Sequence, residues 1–426
     1  MTIGGGENAL AVCLADMVIE RKQPRYPRRG PSCLFVLFIM LGIAMSLYVI
    51  VRPDTARDVI EEIIPTPTPE PTRSAAEYAL LADLSERDGE YEQAVDFYKQ
   101  AISLDATKPE FFVRLINLLV LTGQPELALE AADQATVLAP DSDAVWTAVA
   151  AAHLANGDRL DNLGDKTGAD LQYTQAAQAA DKATDLNPNS ATAFAYKAGG
   201  LVLQEDPDLY ELAQEMADTA VFLEPDNPIA RLYMAKVFDY QGFYTAAREQ
   251  YQLGIQSNPS LVDLHIGLAY NYFGTSNIPE AILSFEEAIA VDPDNAIAYD
   301  GLAYMYLQLG EDALAEEKAV TAVKLDPNVA RAHGRLGEAY FRRSNYAEAI
   351  KELELAVQMY GEPTSLNARF FNLLATAYYF MDPALCPQAV PLFEQVLTVA
   401  VPESLVEIRA SEGLELCRQA ALESTP

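Results

Sequence analysis

Apolar and small residues recur in this chain with a period of about thirty-four residues, nine times over residues 75–402. Within each period, two successive stretches carry apolar residues three and four positions apart, which is the spacing of one face of an amphipathic helix. The pattern therefore predicts nine helix pairs. One position of the second helix holds alanine every time, and a small residue there lets neighbouring helices approach closely. These alanines are Ala94, Ala128, Ala176, Ala213, Ala247, Ala281, Ala315, Ala349 and Ala389.

The unit also has a fixed order of small residue, glycine and proline. In residues 296–329, Ala303 lies in the first helix, Gly310 breaks the helical pattern, and Pro327 ends the unit, where its missing N–H costs little. The same eighth position holds Ala82, Ile116, Ala150, Ala198, Ala235, Ala269, Ala303, Gly337 and Ala375. This resembles the tetratricopeptide repeat family, whose preferred fourth-position tryptophan is present as Trp146. The resemblance implies an all-α, right-handed superhelical α-solenoid of about nine tetratricopeptide (TPR) helix pairs.

The predicted array occupies residues 75–402, and residues 403–426 are expected to form a capping helix and tail that cover its exposed end. The third unit is longer than the others because residues 156–170 are inserted between its two helices. We expect this insertion to form either a solvated loop or an extended hairpin. The predicted units are 75–108, 109–142, 143–190, 191–227, 228–261, 262–295, 296–329, 330–367 and 368–402.

An uncharged stretch near the N-terminus, residues 32–51, is long enough to span a bilayer as a helix. Because the short segment before it, residues 1–31, is basic, the positive-inside rule predicts a single-pass anchor with a cytoplasmic N-terminus and extracytoplasmic repeats. A cleaved signal peptide is the alternative, although its apolar region is normally shorter. Met17 is an alternative start. The Pro/Thr-rich linker, residues 52–74, favours extended polyproline II geometry and forms either a stalk or a tolerated linker.

The charge of the chain lies in the repeats. The net charge is −33, and residues 1–74 hold eight basic and eight acidic residues, which leaves 21 basic and 54 acidic residues for the array. Nucleic-acid affinity depends on cations that neutralise phosphates, so we expect no nucleic acid partner. The acidity favours solubility and could attract a basic partner.

No pattern of a catalytic, cofactor-binding or metal-binding site is found in the sequence, so we expect no enzyme activity and no cofactor. His153, His265 and His333 lie in first helices without a second ligand at metal-binding spacing, and we interpret them as structural. The aspartates of the insertion lack the spacing of a calcium loop. Cys386 and Cys417 both belong to the extracytoplasmic part and could pair, but the sequence does not establish the geometry.

The family resemblance implies that ligands contact positions two, five, nine, twelve and thirteen of the unit, on the first helices that line a concave groove. In the later units these positions combine aromatic and charged side chains, as protein-binding patches do. The predicted partner-binding residues are Lys236, Tyr240, Ile266, Tyr270, Phe273, Asp300, Tyr304, Leu307, Arg331, Arg335, Glu338, Phe341, Arg342, Asn372 and Tyr379. The alternative is that some of them, such as Phe273 or Phe341, pack between first helices.

Some members of this family clamp the C-terminal carboxylate of a partner, as chaperone adaptors do. Arg331 and Arg335 match the last part of that clamp, but Ile266, Tyr270 and Gly301 stand where the rest of it would need other residues. We therefore do not expect a chaperone-tail clamp.

Together these features predict a membrane-anchored scaffold that binds a peptide or helix of protein partners in its groove, in complex organisation or assembly at a bacterial cell envelope. Two alternatives remain open at this point. One is a non-catalytic accessory subunit that recruits substrates to an enzyme, and the other is a self-assembling envelope component. The sequence does not identify the partner, the process or the oligomeric state.

Overall fold

A computed structural model of the protein describes residues 33–51 and 73–423. The chain divides into two units, residues 1–72 and residues 73–426. The first unit contains one described helix, α1 (Cys33–Val51), which has no charged residue. In a search of the described residues, no helix meets the length and hydropathy needed to cross a membrane. The predicted basic segment 1–31 and nearly all of the predicted linker lie outside the described residues.

The second unit is a row of helix pairs, and its described residues contain no strand. The first helices of the nine pairs are α2 (Ala75–Arg87), α4 (Pro109–Leu121), α6 (Asp143–Leu163), α8 (Ala191–Val202), α10 (Pro228–Tyr240), α12 (Val262–Gly274), α14 (Ala296–Leu309), α16 (Ala330–Arg342) and α18 (Ala368–Met381). The second helices are α3 (Tyr91–Leu104), α5 (Pro125–Leu138), α7 (Lys166–Leu186), α9 (Tyr210–Leu223), α11 (Tyr244–Ser257), α13 (Ile278–Val291), α15 (Asp312–Leu325), α17 (Tyr346–Tyr360) and α19 (Cys386–Val399). A last helix, α20 (Leu405–Glu423), follows them. The predicted all-α repeat solenoid is confirmed.

The invariant alanines are buried throughout the array. All nine, from Ala94 to Ala389, have no exposed surface. Because protein interiors are close-packed, we expect a larger side chain at this position to push neighbouring helices apart. The recurring alanine in the sequence therefore indicates that neighbouring helices lie close together at this position.

In several units the side chain of the fourth residue contacts the carbonyl of the proline at the end of the preceding unit. Trp146 donates its Nε1–H to the Pro140 carbonyl at 2.7 Å. The Nε2 atoms of His265 and His333 lie 3.0 Å and 2.9 Å from the equivalent proline carbonyls. These carbonyls lie in the turn between units, outside the helical ladder, so a side-chain donor satisfies them. Both histidines thus have a structural contact.

The insertion of the third unit is helical. Residues 156–170 lengthen both helices of the pair, so that α6 and α7 have 21 residues each. Gly164 ends α6 with a φ of 89°, a conformation that glycine adopts without strain. Asp165 then begins α7 by accepting a hydrogen bond from the Gly168 N–H. Of the two expected forms the insertion takes the second, and we call residues 156–170 the long hairpin.

The C-terminal end of the array is closed by α20 and by a covalent bond. Cys386 at the start of α19 and Cys417 in α20 form a disulfide, with their Cα atoms 5.5 Å apart. Around it Phe393, Val396 and Ala410 are fully buried. The pairing that the sequence left open is therefore made, because α19 and α20 are packed neighbours.

Removing this disulfide is expected to loosen the last helix. Cys417→Ser should lower the stability of the C-terminal end by about 2–4 kcal/mol, since the bond restricts the unfolded chain. Hydrogen exchange in α20 measures this directly. Adding reductant should accelerate exchange in the natural chain and change nothing further in Cys417→Ser. Equal protection of α20 in both chains would contradict the expectation.

Candidate partner-binding groove

The first helices line the inner face of the array. From the second unit to the ninth, neighbouring first helices contact one another, whereas successive second helices of the described chain do not contact to a comparable extent. A row of helix pairs that is closer on one side curves toward that side. The predicted groove residues, all on α10 to α18, therefore lie on the concave side.

The long hairpin crosses this concave side. Its Asn162 accepts a hydrogen bond from Arg331 Nη2 at 3.4 Å, although the two residues are 169 positions apart. At the tip, Gly164 lies so close to Tyr360 that a Cβ on the glycine would overlap the tyrosine ring. The third unit and the eighth unit are thus in direct contact across the groove. Nothing in the sequence pattern indicated this, because the contact depends on the curvature of the whole array.

A cavity of about 460 Å³ lies between the long hairpin and the facing first helices. Four predicted groove residues line it, namely Lys236, Tyr240, Ile266 and Tyr270. Half of the other lining residues are acidic or aromatic, namely Asp158 and Asp161 of the hairpin and Asp239, Tyr244, Tyr251 and Asp263 of the facing units. This part of the groove is therefore a pocket that stays partly open to solvent.

Hydrogen bonds fix two of these carboxylates. Asp158 accepts from the Tyr173 hydroxyl at 2.8 Å. Asp239 accepts from the Tyr251 hydroxyl at 2.9 Å and from Asn271 Nδ2 at 2.6 Å. Burial raises the pKa of both carboxyls above the ordinary aspartate value, and these hydrogen bonds oppose that rise. Burial at this wall therefore disfavours the negative charges of Asp158 and Asp239.

Asp300 lies at the centre of a buried ion cluster. It has no exposed surface, and its Oδ2 is 2.7 Å from Arg331 Nε and 2.6 Å from Arg335 Nη1. The Arg335 guanidinium also stands 4.3 Å from the centre of the Tyr304 ring, and that ring packs edge-on against Phe273 at 5.1 Å. These five predicted contact residues hold adjacent units together. For Phe273 and Tyr304 the packing alternative describes what the structure shows.

Four more predicted residues are also engaged within the array. Leu307 and Asn372 are buried. Glu338 pairs with Arg342 at 2.6 Å, and the same arginine donates to the Leu307 carbonyl at 2.6 Å. The buried side chains among the predicted set, Asp300, Leu307, Arg335 and Asn372, offer no surface to a partner in this structure. They lie one layer below the groove because the close approach of first helices covers them.

The remaining two predicted residues, Phe341 and Tyr379, are partly buried and belong to an aromatic cluster. Phe341 is 5.5 Å from Tyr346 and 6.1 Å from Phe380, and Tyr379 is 5.6 Å from Phe380. Tyr346 and Phe380 stack at 5.8 Å. Phe380 keeps 52% of its surface exposed. We call these four residues the aromatic edge, since they lie where the first helices of the last two units end.

Family models and known relatives agree with this architecture. Two tetratricopeptide repeat models match residues 87–152, and residues 266–328 and 313–362. The CTR9 homolog of Arabidopsis thaliana is 26% identical over 255 residues, which cover 59% of this chain and 22% of that protein. The match therefore spans about a fifth of the length of that relative.

Solved structures share the fold at low identity. Human IFIT1, solved as a dimer with PPP-AAAA, is 17% identical with a TM-score of 0.58, over 84% of this chain and 92% of that one. The pilF protein of Pseudomonas aeruginosa is 18% identical with a TM-score of 0.45, over 53% of this chain and 98% of that one. The described array therefore has the fold of a helical repeat solenoid, and its residues 87–152 and 266–362 match tetratricopeptide repeat models.

Proposed function

We propose that this protein is a non-catalytic scaffold that binds a protein partner at the aromatic edge and is anchored to a membrane of a cell envelope. The observation that carries the binding role is the aromatic edge, in which Phe380 is exposed beside the partly buried rings of Phe341, Tyr346 and Tyr379. A few residues carry most of the binding energy of a protein interface, and large aromatic side chains are enriched among them. Tetratricopeptide repeats generally bind protein partners, and an extended segment or a helix with apolar anchors fits this edge.

The anchor and its orientation rest on the sequence. Residues 32–51 are uncharged, and the basic residues before them favour a cytoplasmic N-terminus. The Cys386–Cys417 disulfide supports an extracytoplasmic array, because disulfides persist mainly in oxidising compartments. The sequence does not indicate which process of the envelope the scaffold serves.

A ligand such as the PPP-AAAA of the IFIT1 complex is not proposed for this chain. The cavity wall here carries four aspartates, and the array has 54 acidic against 21 basic residues. Both would repel phosphates. The shared fold therefore does not extend to a shared ligand.

Photo-crosslinking in cells tests the proposal. A photoreactive amino acid at position 380 of the full chain should capture a distinct envelope protein, and one at position 222 should not. Phe222 is the matched control, since it is an equally bulky side chain that is 83% exposed on the second helix α9. Capture of a cytoplasmic protein would overturn the orientation. Capture of only a second copy of this chain would favour self-assembly instead.

Substitution of the same residue gives a quantitative expectation. Phe380→Ala should weaken partner binding by about 2 kcal/mol, the cost of removing a strong interface anchor. Its effect on folding should stay near 1 kcal/mol or below, because half of the ring is already exposed. Partner recovery in a pull-down and the urea midpoint measure the two effects. A loss of stability as large as the loss of binding would show that Phe380 is a structural residue.

A further inference from the structure

The cavity beneath the long hairpin has the size of a ligand site. Its volume of about 460 Å³ lies within the range of small-molecule pockets. One wall is the hairpin, with Asp158 and Asp161, and the opposite wall is formed by α10 and α12, with Asp239 and Asp263. A ligand between the walls would therefore meet carboxylates on both sides.

The charge of this cavity is unbalanced. Among its described lining residues, Lys236 is the only basic one, and its Nζ is directed at the Tyr233 ring, 5.5 Å from the centre. Lys236 acts electrostatically on Asp158 and Asp239. Lys166 and Arg331 act on Asp161, and Arg248 acts on Asp239. Each of the last three cations is also held by another group. Arg331 pairs with Asp300, Lys166 pairs with Asp170 and Glu205, and Arg248 binds Asn271 and Thr275. Among the described residues that line the cavity, four carboxylates thus face a single basic side chain.

Aromatic rings complete the walls. Tyr240, Tyr244, Tyr251 and Tyr270 all line the cavity. The Tyr270 hydroxyl is shielded from solvent and has no hydrogen-bond partner within the described part of the chain. A buried hydroxyl without a partner is costly, so a ligand that reached it would stabilise the site. Carboxylates interleaved with aromatic faces form the surroundings that organic cations prefer.

From this geometry we propose that the cavity binds an organic cation, an alkylammonium or guanidinium group on a slender chain. No group of three or more His, Cys, Asp or Glu residues in the described chain is arranged to hold a metal ion, so the acidic residues favour a long cation over a compact one. The same group could come from a free polyamine or from a lysine or arginine side chain of a partner segment. Burial raises the pKa of Asp158, Asp161 and Asp239, and a bound cation would relieve this unfavourable charge.

Calorimetric titration of the full chain tests the proposal with two probes. The first is spermidine, and the second is a short neutral-ended peptide with a single lysine. Saturable binding of one equivalent of either probe is the expected result. Binding of spermidine alone would assign the site to a free amine, and tighter binding of the peptide would assign it to a partner side chain. Failure of both probes to bind at millimolar concentration would overturn the proposal.

Two variants separate the cavity from general attraction to an acidic protein. Asp161→Asn and Asp263→Asn change opposite walls, and neither carboxylate makes a side-chain hydrogen bond within the described residues, so the fold should be kept. Together they should weaken binding at least tenfold. Asp141→Asn is the control, since it removes the same charge from an exposed position outside the cavity, and it should leave the affinity unchanged. Equal losses for the control and for the wall variants would refute the site.

Discussion

Replacing Asp300 with alanine is expected to destabilise the C-terminal half of the array by about 3–5 kcal/mol. The carboxylate is fully buried and is within 2.7 Å of both Arg331 and Arg335. Its removal would leave two cations without a carboxylate partner, one of them buried as well. An uncompensated buried charge costs more than the pair itself contributes, because the desolvation of the remaining ion is no longer offset.

The matched control is a pair on the surface. Lys351 and Glu348 are 3.3 Å apart, but their side chains are 68% and 46% exposed. Glu348→Ala should therefore change stability by less than about 1 kcal/mol. The urea midpoint of the full chain and hydrogen exchange in α14 and α16 measure both effects. If the two substitutions cost the same, the Asp300 cluster does not join the seventh and eighth units as described.

Phe285→Ala is expected to have an effect of similar size, about 3–5 kcal/mol, through the loss of a buried ring. The Phe285 side chain has no exposed surface, and Tyr270 packs edge-on against it at 5.1 Å. On its other side lies Gly301 of the next first helix, where a Cβ would overlap the ring. The ring therefore fills the junction between the sixth and seventh units, and alanine would leave a void there.

The glycine provides an internal check on this packing. Gly301→Ala should destabilise the natural chain by about 1–3 kcal/mol because the added methyl group overlaps Phe285. In the Phe285→Ala chain the same substitution should cost much less, since the methyl group enters vacated space. Phe222→Ala, at an 83% exposed position, controls for loss of a ring as such. Additive effects of the two substitutions in a double-mutant cycle would contradict the contact.

The helical array could be predicted from the sequence because every repeat has a small residue at the same position, which indicates the same close approach of neighbouring helices. Ala94 and its eight equivalents are all buried, as their recurrence predicted. The Asp300 cluster could have been found from a pattern as well. Arg331 and Arg335 stand 31 and 35 positions after Asp300, about one repeat later, where neighbouring first helices bring such residues together.

The groove could be predicted only in outline. Position rules mark the face of a first helix, but they do not tell whether a side chain there is covered by its neighbours. Tyr304 was predicted to face a ligand, and the structure packs it between Phe273 and the guanidinium groups of Arg335 and Arg369. The contact of Asn162 with Arg331 spans 169 positions. It depends on the curvature accumulated over the five junctions from the third unit to the eighth. No local sequence pattern specifies this accumulated curvature.

The long hairpin also determines how the array responds to force. An open solenoid extends like a spring, because each unit is held only by its neighbours. Here the long hairpin joins the third unit to the eighth. Pulling on the ends of the array would therefore have to break the contacts of the hairpin before the units between them could separate. The first two units and the last remain free to flex, while the middle of the array resists extension as one stiff segment.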